Sequence, residues 1–133
     1  MTKIIYLNID QVNLIHFHSI ERHGGHHGIR DLGLLTSAIS RPQSGYGDYE
    51  AYPDIYMKAA VLGYSLIKNH AFIDGNKRTG VVSMFNFLEE NGYALKVIPD
   101  ETLQLSLDIA EDRMDEKLIA VWLQNHFTPP LES

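Results

Sequence analysis

Residues 53–90 read PDIYMKAAVLGYSLIKNHAFIDGNKRTGVVSMFNFLEE, and this stretch decides the fold. Up to Asn69, Ile55, Ala59, Leu62 and Leu66 form one stripe at helical spacing, and Tyr56, Ala60, Tyr64 and Ile67 form a second. Between Ile55 and Asn69 only Lys58 and Lys68 carry charge. A helix apolar around most of its circumference belongs in the middle of a bundle. Pro53 suits its first position, where a missing N–H costs nothing. After a polar break, a second such helix runs from Asn76 to Glu90 with Val81, Val82, Met84, Phe85, Phe87 and Leu88, and Asn91-Gly92 stops it.

Outward from this pair the pattern stays helical. Asn8 or Asp10 caps a helix through about Arg22, with Val12, Ile15 and Ile20 inward. His23-Gly24-Gly25-His26-His27-Gly28 breaks it, and Asp31 caps a short helix that ends at Arg41-Pro42. Residues 43–52 read as a loop with three tyrosines, Tyr46, Tyr49 and Tyr52. Beyond Gly92, Tyr93 to Val97 reads as a strand that pairs with Ile4 to Leu7. Pro99-Asp100-Glu101 opens a helix with Leu103, Leu107 and Ala110 inward, and Asp115 opens a last one with Leu118, Val121 and Trp122 inward. The expectation is an all-α bundle of about six helices with at most a small two-stranded β-ribbon, one domain over 1–133.

Composition narrows the function. With no cysteine, a disulfide framework, a Cys-ligated zinc and a thiol nucleophile are excluded. Lys plus Arg number 11 against 17 Asp plus Glu, a net charge of -6, which argues against direct nucleic-acid binding. No apolar run approaches the roughly 18 residues of a membrane span, and the N-terminus does not read as a signal peptide. The expectation is a cytoplasmic protein with no membrane partner.

The turn between the two apolar helices, His70 to Thr79, reads as an anion site. The amides near Gly75, Asn76 and Lys77 are the unpaired donors of a helix start, which bind phosphate. Lys77 and Arg78 put two cations where the helix dipole is already positive, which makes sense when an anion sits there. Asp74 is a hard oxygen ligand suited to Mg²⁺ held with phosphate oxygens. His70 is a candidate general base, and Phe72 points into the core and fixes the turn. Singly each has a plain structural reading: His70 as a C-cap, Asp74 as an N-cap, Lys77 and Arg78 as solvated charges. Their convergence within nine residues favours function.

The stretch His70-Ala71-Phe72-Ile73-Asp74-Gly75-Asn76-Lys77-Arg78 resembles the Fic/Doc signature H-x-F-x-[D/E]-G-N-x-R, in the form of the Doc (death-on-curing) branch, which has Lys where Fic has a second Gly. The resemblance extends over Glu21–Gly25, Gly33–Ala38, Lys58–Ala60, Lys68-Asn69, Phe87-Leu88 and Asn91-Gly92. It implies a compact helical fold and an ATP-using transferase that modifies a protein hydroxyl. The Doc branch implies a toxin that moves the γ-phosphoryl group onto a translation factor, elongation factor Tu, and arrests translation. Carried over by position, the catalytic set is His70, Asp74, Lys77 and Arg78. The nucleotide-binding set is Phe72, Gly75, Asn76, Lys77 and Arg78, and Asp74 is the Mg²⁺ ligand. ATP and Mg²⁺ are the implied cofactors and a Phd-like antitoxin the implied partner. Residues 43–52 lie where the family has a flap that guides the target. Lys77 in place of glycine and Val81 in place of a second arginine depart from the Fic pattern and favour phosphoryl over AMP transfer. No self-inhibiting [S/T]-x-x-x-E-[G/N] run occurs; Glu90-Asn91 comes closest, with Asn86 in place of the hydroxyl residue.

Fic-type AMP transfer is the alternative. A remoter one is a metal-dependent phosphohydrolase built on His16, His18, His23, His26 and His27, since imidazoles bind Zn or Fe. A non-enzymatic binding module would show loss of His70, Asp74 or Asn76, and all three are present. No G-x-x-x-x-G-K-[S/T] P-loop occurs.

Overall fold

The computed structural model describes residues 3–96 and 99–131. It is mostly helical: α1 (Ile9–His23), α2 (Leu32–Ser40), α3 (Ile55–Asn69), α4 (Asn76–Glu90), α5 (Pro99–Ala110) and α6 (Glu116–His126). Two small antiparallel ribbons accompany them, β1 (Gly45–Tyr46) with β2 (Tyr49–Glu50), and β3 (Ala94–Leu95) with β4 (Phe127–Thr128).

The broad apolar faces of α3 and α4 place these two helices at the centre. α3 packs against α4, α6 and α2, and α4 against α1 and α5. The closest approach of α3 and α4 depends on two glycines. A Cβ at Gly80 would lie 2.5 Å from Ile67 Cγ1 and 2.9 Å from the Gly63 carbonyl, and one at Gly63 would lie 2.8 Å from Met84 Sδ. Any larger residue would push the helices apart and loosen the layer of Leu62, Leu66, Met84 and Leu88, all essentially buried.

Most caps match their residues. Asn8 accepts from the Gln11 amide while the Gln11 side chain accepts from the Asn8 amide, a reciprocal capping box that starts α1. Asp31 caps α2 and Asp115 caps α6. α3 begins at Ile55 with Asp54 as its cap, so Pro53 lies just outside rather than in the first turn.

Three expectations are corrected. Ile4 to Leu7 is not a strand; it runs beside the end of α4, where the Asn91 side chain accepts from the Ile5 amide and donates to the Ile5 carbonyl. The partner of β3 is instead β4 at the chain's other end, Ala94 opposite Thr128 and Leu95 opposite Phe127. Val97, assigned to that strand from sequence, lies outside the described residues. On α5 the buried face is Leu105 and Ile109, with Leu103 exposed and Leu107 half-buried; on α6 it is Ile119, Ala120 and Leu123, with Leu118 and Val121 exposed, while Ala110 and Trp122 do pack against the core as expected. Both helices carry apolar residues on more than one face, so spacing alone admits two phases, and contact with α3 and α4 selects between them.

Residues 43–52 form a hairpin rather than a plain loop. Its ribbon projects Tyr46 and Tyr49 outward, their ring centroids 5.2 Å apart. Its base is tied down by two cations. Lys58 of α3, buried, donates to Glu50 Oε1 at 2.9 Å and to the Pro42 carbonyl at 3.3 Å. Arg41 donates to Ser65 Oγ and the Tyr52 hydroxyl and pairs with Glu116.

Candidate active site

α3 ends and α4 begins within a six-residue turn that the surrounding chain holds from three sides. His70 takes the left-handed conformation, φ 49°, ψ 49°, which closes α3. Arg30 fixes that end: its Nε donates to the His70 carbonyl at 2.6 Å and its Nη2 to the Asn69 carbonyl at 3.0 Å. The segment before α2 then braces the turn as a short ladder. The Arg30 and Asp31 amides donate to the Ala71 carbonyl, and the Ile73 amide donates to the Gly28 carbonyl at 3.0 Å.

From inside, Asn76 clamps the turn. Its Oδ1 accepts from the Phe72 amide and its Nδ2 donates to the Phe72 carbonyl, both at 2.9 Å. The Asn76 side chain is therefore spent on backbone geometry. Phe72, counted in the nucleotide-binding set from sequence, is buried beneath the turn and stacks on His16, centroids 3.9 Å apart and 8° from parallel. It anchors the turn and offers no surface to a ligand.

From α1, His16 reaches the same place. It is buried, and its Nε2 lies 2.8 Å from the Asp74 carbonyl. A carbonyl only accepts, so Nε2 carries the proton and donates. Burial lowers the pKa of His16, against the opposing effect of that carbonyl.

Asp74 itself is exposed. Its Oδ2 accepts from the His26 amide at 3.2 Å and its Oδ1 from the Gly75 amide at 2.9 Å. These two amides, His26 first, hold the Asp74 carboxyl below the usual carboxylate range. Gly25 leaves room for this: a Cβ there would lie 2.7 Å from Asp74 Oδ2.

α4 then starts without a side-chain cap. Its N-cap is Gly75 in the left-handed region, φ 76°, and the amides of Asn76, Lys77 and Arg78 find no acceptor among the described residues. Lys77 and Arg78 are exposed and make no ion pair among the described residues. A cleft of about 430 Å³ opens here, with Asp74, Gly75, Asn76, Lys77, Arg78, Val81 and Val82 on one side and Thr102, Leu103, Ser106 and Leu107 of α5 on the other. Leu103 and Leu107, which sequence periodicity turned inward, thus face this cleft. His70 stands at the far end of the turn, exposed, and does not line it.

Five of the sequence-predicted residues, Asp74, Gly75, Asn76, Lys77 and Arg78, therefore gather around the open start of α4, with Phe72 beneath the turn and His70 at its other end. Histidines 16, 18, 23, 26 and 27 do not converge: His16 is buried, His27 pairs with Glu21, and no group of three metal-ligating side chains occurs among the described residues. The supports that sequence reasoning passed over are His16, Arg30, Gly25 and the Gly63–Gly80 contact. For His16 a signal existed, since it sits one turn from both Val12 and Ile20 on the buried face of α1.

A family model, the Fic/DOC family, matches residues 6–88, which carry this turn, α3 and α4 as far as Leu88. The chain belongs to the Fic/DOC family. Among curated relatives, it is 43% identical over 93 residues to Toxin Doc of Mycolicibacterium smegmatis (strain ATCC 700084 / mc(2)155), covering 70% of this chain and 67% of that protein. It is 31% identical over 87 residues to Protein kinase doc of Escherichia phage P1, covering 65% and 68%. It is 36% identical over 80 residues to Protein adenylyltransferase Fic of Drosophila ananassae, covering 59% of this chain but 16% of that protein. The Fic/DOC match ends before α5, so the far wall of the cleft lies outside it. No helix among the described residues is long and apolar enough to cross a membrane.

Proposed function

We propose that this chain is a toxin of the Doc kind that uses Mg²⁺·ATP to transfer the γ-phosphoryl group to a hydroxyl side chain of a translation factor, elongation factor Tu, and so arrests translation. The observation that carries the reading is the uncapped start of α4. Three free amides, Lys77 and Arg78 meet at one exposed point, an arrangement unfavourable to the helix unless an anion sits there. Similarity to relatives named Toxin Doc and Protein kinase doc supports the toxin and kinase parts.

In this reading the α4 amides, Lys77 and Arg78 hold the phosphates. The ionised Asp74, exposed at the same cleft, is the residue that fits a magnesium ion. When bound, that ion neutralises charge on the phosphate oxygens. His70, outside the cleft and open to solvent, takes the proton of the target hydroxyl. The hydroxyl oxygen then attacks the γ-phosphorus in line, the bond from γ-phosphorus to the bridging oxygen breaks, and ADP leaves. Lys77 offers a point charge where a glycine would let backbone approach, and Val81 removes a guanidinium, which together favour the γ over the α position. Tyr46 and Tyr49 on the hairpin are the target-facing contacts, and a Phd-like antitoxin supplies the inhibition that no segment of the chain provides by motif.

Incubating the protein with cell lysate and ATP labelled separately at the α and γ phosphates tests the reaction. Label from the γ position should enter a protein of the size of elongation factor Tu. Transfer of α label would replace the kinase reading with AMP transfer.

A further inference from the structure

Beyond the motif, one buried side chain of α1 reaches the turn from which α4 starts. His16 is 4% exposed, its ring lies flat on Phe72, and its Nε2–H donates to the Asp74 carbonyl at 2.8 Å. That carbonyl belongs to the peptide joining Asp74 to Gly75, so the hydrogen bond sets the plane from which α4 starts. The same peptide's N–H donates to Asp74 Oδ1 at 2.9 Å. The orientation of the carboxylate and the direction of the free α4 amides therefore share one peptide plane. The start of α4 has no side-chain cap, and Gly75 adopts φ 76° with no Cβ to restrict it. The His16 ring edge and Ile20 Cδ1 line the space a Gly75 Cβ would enter, at 3.7 and 3.0 Å.

The geometry points to His16 as a positioning residue for the nucleotide site: its Nε2–H holds the Asp74–Gly75 peptide so that the Asp74 carboxylate and the α4 amides face the same anion. This rests on the proposed use of Mg²⁺·ATP. Its chemistry is that of a fixed neutral donor; of the histidines in the following loop, His26 contributes its backbone amide to Asp74 Oδ2.

Two substitutions separate the donor from the ring. His16→Phe keeps an aromatic face on Phe72 and removes the donor. His16→Gln removes the stack and keeps an N–H at about the reach of Nε2. Mg²⁺·ADP binding is measured by calorimetry on the full chain, with thermal unfolding in parallel. His16→Phe should bind about tenfold more weakly, as befits one lost buried hydrogen bond, at a melting temperature near the parent's. His16→Gln should melt lower yet bind within about threefold of the parent, a reversal that a merely structural role would not give. If His16→Phe binds like the parent, or if both variants lose affinity in step with their melting temperatures, the positioning role is wrong. Should His16→Phe not fold, His16→Met, also donorless, takes its place with the same expectations. If the parent itself binds no Mg²⁺-nucleotide, the functional reading fails, and that outcome is distinct from loss in the variants alone.

Discussion

α3 and α4 are both 15 residues long, both central and both largely buried, yet they begin in opposite ways. α3 starts on Asp54, whose carboxylate accepts from the Met57 amide at 3.0 Å, a negative charge at the positive end of a helix dipole. α4 starts on a glycine with no acceptor and sets Lys77 and Arg78 where a negative charge belongs. The first start serves the fold. The second leaves a helix terminus unsatisfied at the mouth of a cleft, a local violation of good helix design of the kind found where a ligand completes the structure.

The largest effect expected from breaking this contrast is catalytic. His70→Ala should lower transfer by about 10²–10⁴, roughly 3–5 kcal/mol of barrier, with melting temperature little changed, because the side chain is exposed. Rates on the phosphoprotein product and a thermal melt check both halves. A parent-like rate would remove His70 from the mechanism.

Next comes the crossing that holds the two helices together. In an exposed helix Gly→Ala stabilises, but Gly80→Ala would put a methyl 2.5 Å from Ile67 Cγ1. It should destabilise by about 1–3 kcal/mol in denaturant titration. A gain in stability would mean that α3 and α4 can separate freely.

The two helix starts themselves should respond with opposite signs. Asp54→Ala should cost about 1 kcal/mol of stability and leave nucleotide affinity alone. Lys77→Ala should raise stability by about 0.3–1 kcal/mol at low ionic strength while weakening nucleotide binding. Melts at low and high salt, paired with calorimetry, would show whether the α4 start is held open for an anion. Equal signs would erase the contrast.

The smallest effect is in pH. Asp74 has its pKa lowered below 3.8 by the His26 and Gly75 amides, so its stabilising contribution is complete above that value and is lost as pH falls through its folded-state pKa. In acid titrations followed by NMR, the Asp74 carboxyl should protonate after ordinary carboxylates do. Replacing Asp74 by Asn should flatten the acid limb of the stability curve slightly.

The bundle's centre was legible because α3 and α4 carry apolar residues around most of their circumference, which leaves no choice of face. α5 and α6 were misphased in part, Ala110 and Trp122 excepted, for the converse reason. Leu103 and Leu107 compete with Leu105 and Ile109, and Leu118 and Val121 with Ile119 and Leu123. Local spacing carries no information about which of two apolar faces a neighbour will cover. The ribbon partner was likewise invisible, since Ile4–Leu7 and Phe127-Thr128 both suit a two-residue edge and only the path of α6 brings one of them to Ala94.

The site divides along the same line. By itself the sequence determined the run from His70 to Arg78: a polar break after one helix, a glycine before the next, a carboxylate ahead of that glycine and two cations just after it, because these are properties of residues adjacent along the chain. Only the tertiary structure decided what holds that turn, since Asn76 turns inward to clamp Phe72, Arg30 comes from forty residues away to fix the His70 carbonyl, and His16 crosses from α1 to the Asp74 peptide. It also decided that His70 does not line the cleft and that the cleft's far wall is the face of α5 carrying Thr102, Leu103, Ser106 and Leu107. Hydrogen bonds between distant segments depend on where the packed helices place them, and no local pattern encodes that placement.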